Sequence, residues 1–290
     1  MDRQDELRII RAAYARQILA AARVGDDPRL DAAFSAIRRE DFLGPGPWPM
    51  MRWLGEYVPT PDADPVYLYT DNLVGILPER RLNNGQPSLH AHLIHRAAPA
   101  AGQHVVHVGT GTGYYTAILA HLAGPSGRVT GIEFDTELAA RAKANLAPFP
   151  NVDIVQGDGT SVAFDQADVI YVNAGCTQPA QSWPDRLADG GRLILPMTSD
   201  NGFKSAPPEQ IVRAGAVFRI ERRGHDYFVS WISGVAIFPC AGSRDDISER
   251  ALAEAFAKGG WQKVTRLYRG EGIPDERCWV RGPGWCLAYD

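Results

Sequence analysis

The chain has 290 residues, 45% hydrophobic and 22% charged, with thirty basic side chains against thirty-four acidic ones and a net charge of −4. That length buries one large core, as a single domain or a domain with additions, and the charge excludes a protein that holds nucleic acid by bulk electrostatics. No apolar run approaches the roughly 20 residues of a membrane span, and the opening MDRQDELRIIRAAYARQILAAARV carries Asp2, Asp5 and Glu6 and lacks the unbroken apolar centre of a signal peptide.

The first element is a helix with Leu7, Ile10, Tyr14, Ile18 and Ala21 on one face. LDAAFSAIRREDFLGPGP predicts a second helix stopped by Gly44 and Pro45. Residues 44–66, with many prolines and two tryptophans, read as a long ordered connection, the kind of loop that is often functional. From residue 103 the rhythm changes to apolar strands and helical stretches in alternation: HVVHV, YYTAILAHLAG, RVTGIEF, DTELAARAKANL with Asp135 or Thr136 as cap, VDIVQGD, ADVIYVNAG, a short helix in PAQSWPDRLADGG, and RLILPM. Two strands, AGAVFRIERRG and YFVSWISGVAIFP, then alternate as antiparallel neighbours with a turn near Gly224 and His225. Beyond about Ala241 one helix places Ile247, Leu252, Ala255 and Phe256 on one face and stops at Gly259 and Gly260, and an aromatic tail follows.

The pattern predicts an α/β protein: a Rossmann-like, doubly wound sheet, mostly parallel with an antiparallel C-terminal strand pair, plus N-terminal helices and a C-terminal extension. The expected division is a domain over 1–241 and an extension over 242–290 packed on it. Within the domain, 1–98 form the N-terminal helices and substrate-side segment, 99–199 the cofactor-binding core, and 200–241 the closing strands. Cys176, Cys240, Cys278 and Cys286 show no C-x-x-C spacing and read as reduced thiols of a cytoplasmic protein, with a Cys278–Cys286 link left open. Of the seven tryptophans, four lie beyond residue 230 and read as packing residues.

Gly109, Gly111 and Gly113 form G-x-G-x-G between a strand and a helix. Dinucleotide binders carry the third glycine one place later, where this chain has Tyr114. The turn still lets a ligand approach the backbone, and the helix start offers N–H groups to a small anion such as an amino-acid carboxylate. Glu133, at the end of the next strand, suits the hydroxyls of a ribose, and Asp158 in QGDGT suits an exocyclic amine such as adenine N6. Amino acid, ribose and adenine in that order describe S-adenosylmethionine. His90, His92 and His95 do not have the four-residue spacing of a helical zinc pair, so no metal is implied.

The ordered series AIRREDF, YTDNLVGI, VVHVGTGTGYYTA, GRVTGIEFDTEL, NVDIVQGDG, ADVIYVNAG, RLADGGRLILPM and GVAIFP resembles the protein-L-isoaspartate O-methyltransferases over roughly residues 28–241. The resemblance implies methylation of a carboxylate with S-adenosylmethionine. By position, Gly109, Gly111, Gly113, Glu133, Asp158 and Gly159 take the cofactor roles, and His107, Thr110, Phe134 and Asn173 join them as candidates. Two positions depart from the family's pattern: His107 stands where the family has an acid, and Gly85, in NNGQPSLHAHL, stands where the family has a serine. The substrate-side candidates are Asn84, Gly85, Gln86, Pro87 and His90, and no catalytic base is identified. The implied partner is a protein or peptide carboxylate, with no nucleic acid or membrane partner and no oligomeric state indicated. Two alternatives stay open: a methyltransferase for another peptide or small-molecule carboxylate, and a module that binds S-adenosylmethionine without turnover.

Overall fold

The computed structural model describes residues 2–52, 56–80, 82–200, 215–270 and 273–290, the Asp275 side chain excepted. Residues 53–55 of the expected connection, with Trp53, and residues 201–214 at the head of the closing strands, with Ala214, lie outside the described residues. The chain divides into two compact units, Met1–Gln103 with Thr110–Gln156, and His104–Gly109 with Gly157–Asp290.

The first unit opens with α1 (Arg3–Ala21), α2 (Pro28–Ala36) and α3 (Glu40–Leu43). Leu7, Tyr14 and Ile18 of the predicted stripe are buried, but the face is completed by Arg11, Ala15 and Leu19, and Ala21 is exposed. The second helix is not continuous. Ile37 takes an extended conformation, and Arg39 turns into the core, where it donates to the carbonyls of Leu68, Thr70 and Asn72. Strands β1 (Pro49–Met51) and β2 (Tyr57–Pro59) pair antiparallel, as do β3 (Gly75–Leu77) and β4 (Leu82–Asn83). Helix α4 (Pro87–Ala97) starts with proline at its first position, where a missing N–H costs nothing.

Strand β5 (His104–Val108), buried at all five positions, belongs to the second unit. The chain then returns to the first unit with α5 (Tyr114–Ala123), β6 (Arg128–Glu133), α6 (Thr136–Asn145) and β7 (Val152–Gln156). Helix α5 is apolar nearly all round, with only His121 exposed, because it is covered on several sides, including by α2 and β6. Asp135 is the cap of α6, accepting from the Leu138 N–H at 3.0 Å. Strands β6 and β7 pair in parallel, with Glu133 opposite Gln156.

In the second unit β8 (Ala167–Val172) runs parallel to β5 and to β9 (Leu187–Thr198), which begins earlier than expected and absorbs the LADGG segment. The helix between them is the single turn α7 (Ser182–Asp185). Among the described residues, the strands from β9 onward pair with one another antiparallel. Strand β10 (Gly215–Arg223) pairs with β9 and with β11 (Asp226–Gly234), the turn falling at Gly224. The antiparallel part continues beyond the expected pair through β12 (Arg266–Arg269), β13 (Cys278–Gly282) and β14 (Trp285–Ala288), so residues 266–288 add three strands to the sheet.

Helix α8 (Asp246–Lys258) is capped by a reciprocal pair of hydrogen bonds between Asp245 and Ser248. Its buried face is Ser248, Leu252 and Ala255. Ile247 is 75% exposed, because Ser248 bonds to Thr177 at 2.7 Å and turns its neighbour outward. Trp279 of β13 packs on Phe218 and Phe256 and donates to the Ala255 carbonyl, and Trp285 is also buried; Trp231, by contrast, is 38% exposed. The expectation of four reduced thiols fails at one pair: Cys278 and Cys286 are joined, since the β13–β14 hairpin brings their Cα atoms to 5.9 Å, inside the range a disulfide spans. Cys176 and Cys240 are free and buried.

Candidate cofactor and acceptor site

Each unit carries part of the predicted site. In the first, the glycine turn leads from Thr110 into α5, whose N-terminal position is Gly113 and carries no side-chain cap. Gly111 has a φ of +59°, and nothing lies within 4 Å of the place a β-carbon would take there, which leaves open space beside its backbone. Its N–H donates to Glu133 Oε2 at 2.7 Å, and the Asp135 N–H donates to Glu133 Oε1 at 3.0 Å. Glu133 is 7% exposed, and burial pushes its carboxyl upward while these backbone N–H bonds pull it down. Two backbone donors fix the plane of the carboxylate and leave its remaining lone pairs for paired hydroxyls. Phe134, next in the chain, is 59% exposed, a large apolar ring held by a backbone whose carbonyl accepts from Gln156 Nε2. Thr110 is buried and spends its N–H and hydroxyl on the Ile132 carbonyl, which gives it a part in shaping the turn.

The acceptor-side segment is also in the first unit. Gly85 has a φ of +75°, and a β-carbon there would fall on His90 Nε2 and 2.8 Å from His90 Cδ2. The imidazole therefore fills the space of the side chain that position 85 lacks. His90 in turn stacks on Tyr115, with ring centroids 3.6 Å apart, and the Tyr115 hydroxyl donates to the Gly85 carbonyl at 3.2 Å. Gln86 and Ser88 are drawn to Asp71, which accepts from Gln86 Nε2 and from both the N–H and hydroxyl of Ser88. Asn84 is 5% exposed and its Nδ2 has no hydrogen-bond partner among the described residues. A buried orphan donor of this kind costs about 1–3 kcal/mol.

In the second unit His107 is fully buried on β5, edge to face with Tyr171 at 5.4 Å. Burial lowers its pKa from 6.5 to about 3, so the ring is neutral at physiological pH. Gly109 needs its φ of +81°, and a β-carbon would stand 2.9 Å from the Asn173 carbonyl oxygen. The Asn173 side chain donates back to the Gly109 carbonyl at 3.3 Å, so these two residues clasp each other. Asp158 accepts from the Thr160 N–H and hydroxyl, both at 2.9 Å, through one oxygen. Gly242 presses its backbone on that carboxylate, with no room for any β-carbon. Trp183 Nε1 donates to the Gly159 carbonyl at 2.9 Å. A cavity of about 620 Å³, walled by Thr160, Gln178, Ser182, Ser243 and Trp285 among others, contains none of the predicted site residues.

Sequence reasoning missed Asp71, Tyr115, Thr160, Trp183 and Gly242. Asp71 and Tyr115 fall inside segments that carry the family resemblance, and their neighbourhood was the available signal. Gly242 gave none, because its requirement arises from a carboxylate distant in sequence. Among the described residues no group of three or more His, Cys, Asp or Glu could hold a metal, and no helix is long and apolar enough to cross a membrane. His92 pairs with the Ala22 carbonyl and His95 with Asp27.

A parallel α/β sheet, a glycine turn into an uncapped helix, and an acid fixed at the next strand end define a Rossmann-like protein of the nucleoside-cofactor class. Residues 55–234 match the family model described as Protein-L-isoaspartate(D-aspartate) O-methyltransferase (PCMT). A protein-L-isoaspartate O-methyltransferase from Rhodopseudomonas palustris is 33% identical over 219 residues, 74% of this chain and 88% of that one. One from Methanococcus vannielii is 37% identical over 106 residues, 35% of this chain and 51% of that one, so the chain spans about half the length of this relative and of one from Methanococcus maripaludis. The chain belongs to the protein-L-isoaspartate O-methyltransferase family. Two solved structures agree in fold. One of a protein-L-isoaspartate O-methyltransferase has a TM-score of 0.64 at 23% identity, over 82% of this chain and 69% of the other. The other, a putative member from Plasmodium falciparum in complex with S-adenosyl-L-homocysteine, has a TM-score of 0.60 at 17% identity, over 79% and 97%.

Proposed function

We propose that the protein is an S-adenosylmethionine-dependent methyltransferase that esterifies the carboxylate of L-isoaspartyl residues in proteins or peptides, working in the cytoplasm. The observation that carries this reading is Glu133, buried at the end of β6 with both oxygens held by backbone N–H groups, one of them from the glycine turn itself. The open space beside Gly111 and the uncapped start of α5 fit a nucleoside with an amino-acid tail. In this reading Gly109, Gly111 and Gly113 admit the cofactor to the backbone, Glu133 holds its ribose, Phe134 supports the base, and Asp158 with Gly159 receives the exocyclic amine. His107, Thr110 and Asn173 shape the turn. Bound S-adenosylmethionine supplies an electrophilic methyl on a sulfonium.

The residues of the chain have a limited task. A carboxylic acid with a pKa near ~4 is already ionised at neutral pH, so no side chain has to take a proton from the attacking oxygen. What remains is to align acceptor and methyl and to keep water out, and orientation of this kind supplies about 7–11 kcal/mol in favourable cases. That fits a sequence in which no catalytic base is identified. An amine or alcohol acceptor would call for a base.

The test uses labelled S-adenosylmethionine and matched peptides containing isoaspartate, aspartate or asparagine. Base-labile label on the isoaspartyl peptide alone is the expected result. Gly85, without the family's hydroxyl, favours a second reading, in which another carboxylate is the acceptor. Cofactor binding by calorimetry with no label on any of the three peptides would select that reading.

A further inference from the structure

Asn84 sits in a two-way hydrogen bond that fixes its side chain. Its N–H donates to the Val74 carbonyl, and the Val74 N–H donates to its Oδ1, both at 3.0 Å. Rotating the amide would set two donors against each other, so the assignment of oxygen and nitrogen is determined by the backbone. The NH2 end is thereby directed away from Val74, and there it meets no acceptor among the described residues. Its neighbours are committed. Asn83 accepts from the Gly85 N–H at 2.9 Å and donates to the Tyr57 hydroxyl at 3.2 Å, Gln86 and Ser88 bond Asp71, and His90 lies on Tyr115. Position 85, where the family resemblance places a serine, has neither a hydroxyl nor room for one.

We infer that Asn84 Nδ2 is the donor this protein presents to the acceptor's carboxylate. The inference rests on the reading of the chain as a carboxylate methyltransferase and deepens it. An ionised carboxylate only accepts hydrogen bonds, and a buried N–H without a partner is its complement. One neutral amide orients one carboxylate oxygen and leaves the other to attack. A guanidinium or ammonium would bind the acceptor harder but would draw charge from the attacking oxygen. The amide edge is closed to solvent in the structure, so a bound acceptor would take the place of what now covers it.

Asn84→Asp tests the role. The change keeps the side chain's size and an oxygen for the Val74 N–H, and replaces the spare donor with a second carboxylate oxygen. The expected result is a rise of about tenfold or more in KM for an isoaspartyl peptide, corresponding to about 1.4 kcal/mol, with cofactor affinity by calorimetry unchanged. Binding of the neutral methyl-ester peptide should also be unchanged, which loss of a merely structural side chain would not produce. An independent measurement follows the Asn84 side-chain amide by nuclear magnetic resonance in the full chain. It should shift with the isoaspartyl peptide and with succinate, and stay still with the methyl ester. A wild-type KM in Asn84→Asp, or an amide unmoved at saturating carboxylate, overturns the inference. If the amide shifts with succinate while wild type methylates no isoaspartyl peptide, the donor stands and the named acceptor falls. If wild type methylates that peptide and the amide is silent, the reverse holds.

Discussion

The N–H of Gly111 donates to Oε2 of Glu133 at 2.7 Å, joining the middle of the glycine turn to the end of the following strand. The Asp135 N–H occupies the other oxygen at 3.0 Å. Glu133→Gln keeps the shape and removes the second acceptor, so one of the two backbone donors faces an NH2 group instead. The expected loss is about 1–3 kcal/mol of stability, with a decrease in S-adenosylmethionine affinity of about tenfold or more. Urea denaturation and calorimetry measure the two effects separately. Unchanged cofactor affinity would remove Glu133 from the ribose-binding role.

His107 makes stability depend on acid. Its folded-state pKa, about 3, lies below the unfolded value of 6.5, and burial is the cause. Between those values the unfolded chain binds a proton that the folded one refuses. The contribution is complete above pH 6.5 and is lost as pH falls, at about 1.4 kcal/mol per pH unit. Glu133, whose carboxyl burial pushes up, acts in the opposite sense, but it is common to wild type and variant and subtracts out. His107→Gln cannot titrate, so its stability should fall by about one proton's slope less than wild type between pH 6.5 and 5. Parallel denaturation curves for the two proteins over that range would show that His107 is protonated inside the fold.

Much of this was readable from residue order. The alternation of apolar strands and helices predicts the parallel part, and the spacing of Gly109, Gly111 and Gly113 with Glu133 beyond them predicts the turn and its acid. Both signals are local. What escaped was set by partners distant in sequence. Arg39 interrupts a helical pattern because three carbonyls between Leu68 and Asn72 need donors. Ile247 is turned outward by a serine that bonds Thr177. The Cys278–Cys286 link, left open by spacing alone, is decided only when a hairpin pairs their strands. Position 85 is the sharpest case, since a missing hydroxyl reads as a lost function, whereas in space the imidazole of His90 occupies the site.

That occupancy makes Gly85→Ser a damaging change. Restoring the family's residue would place its β-carbon on His90 Nε2 at a φ of +75°, a conformation that L side chains rarely adopt. The expected result is a loss of about 1–3 kcal/mol, from backbone strain and from breaking the stack on Tyr115, and lower rather than higher methylation of isoaspartyl peptides. Adding His90→Ala should recover part of the stability, because the steric conflict goes while the strain stays. Urea denaturation of the two single variants and the double variant measures the coupling. Purely additive effects would mean that the imidazole does not fill the serine's place.

The Cys278–Cys286 bond joins cysteines eight positions apart and closes a short loop in the hairpin whose Trp279 packs under α8. Loop-closure entropy for a ring of this size is worth about 2–3 kcal/mol. Replacing both cysteines with serine should therefore lower unfolding free energy by about that amount, and reductant should do the same to wild type but not to the variant. Because β13 and β14 carry the outer part of the antiparallel sheet, the loss should fall first on amides of residues 266–288 in hydrogen exchange. Cofactor affinity should hold, since none of the residues proposed to hold the cofactor lies within 266–288. A wild-type protein insensitive to reductant, with both thiols open to alkylation after unfolding under non-reducing conditions, would show that the bond does not form in solution.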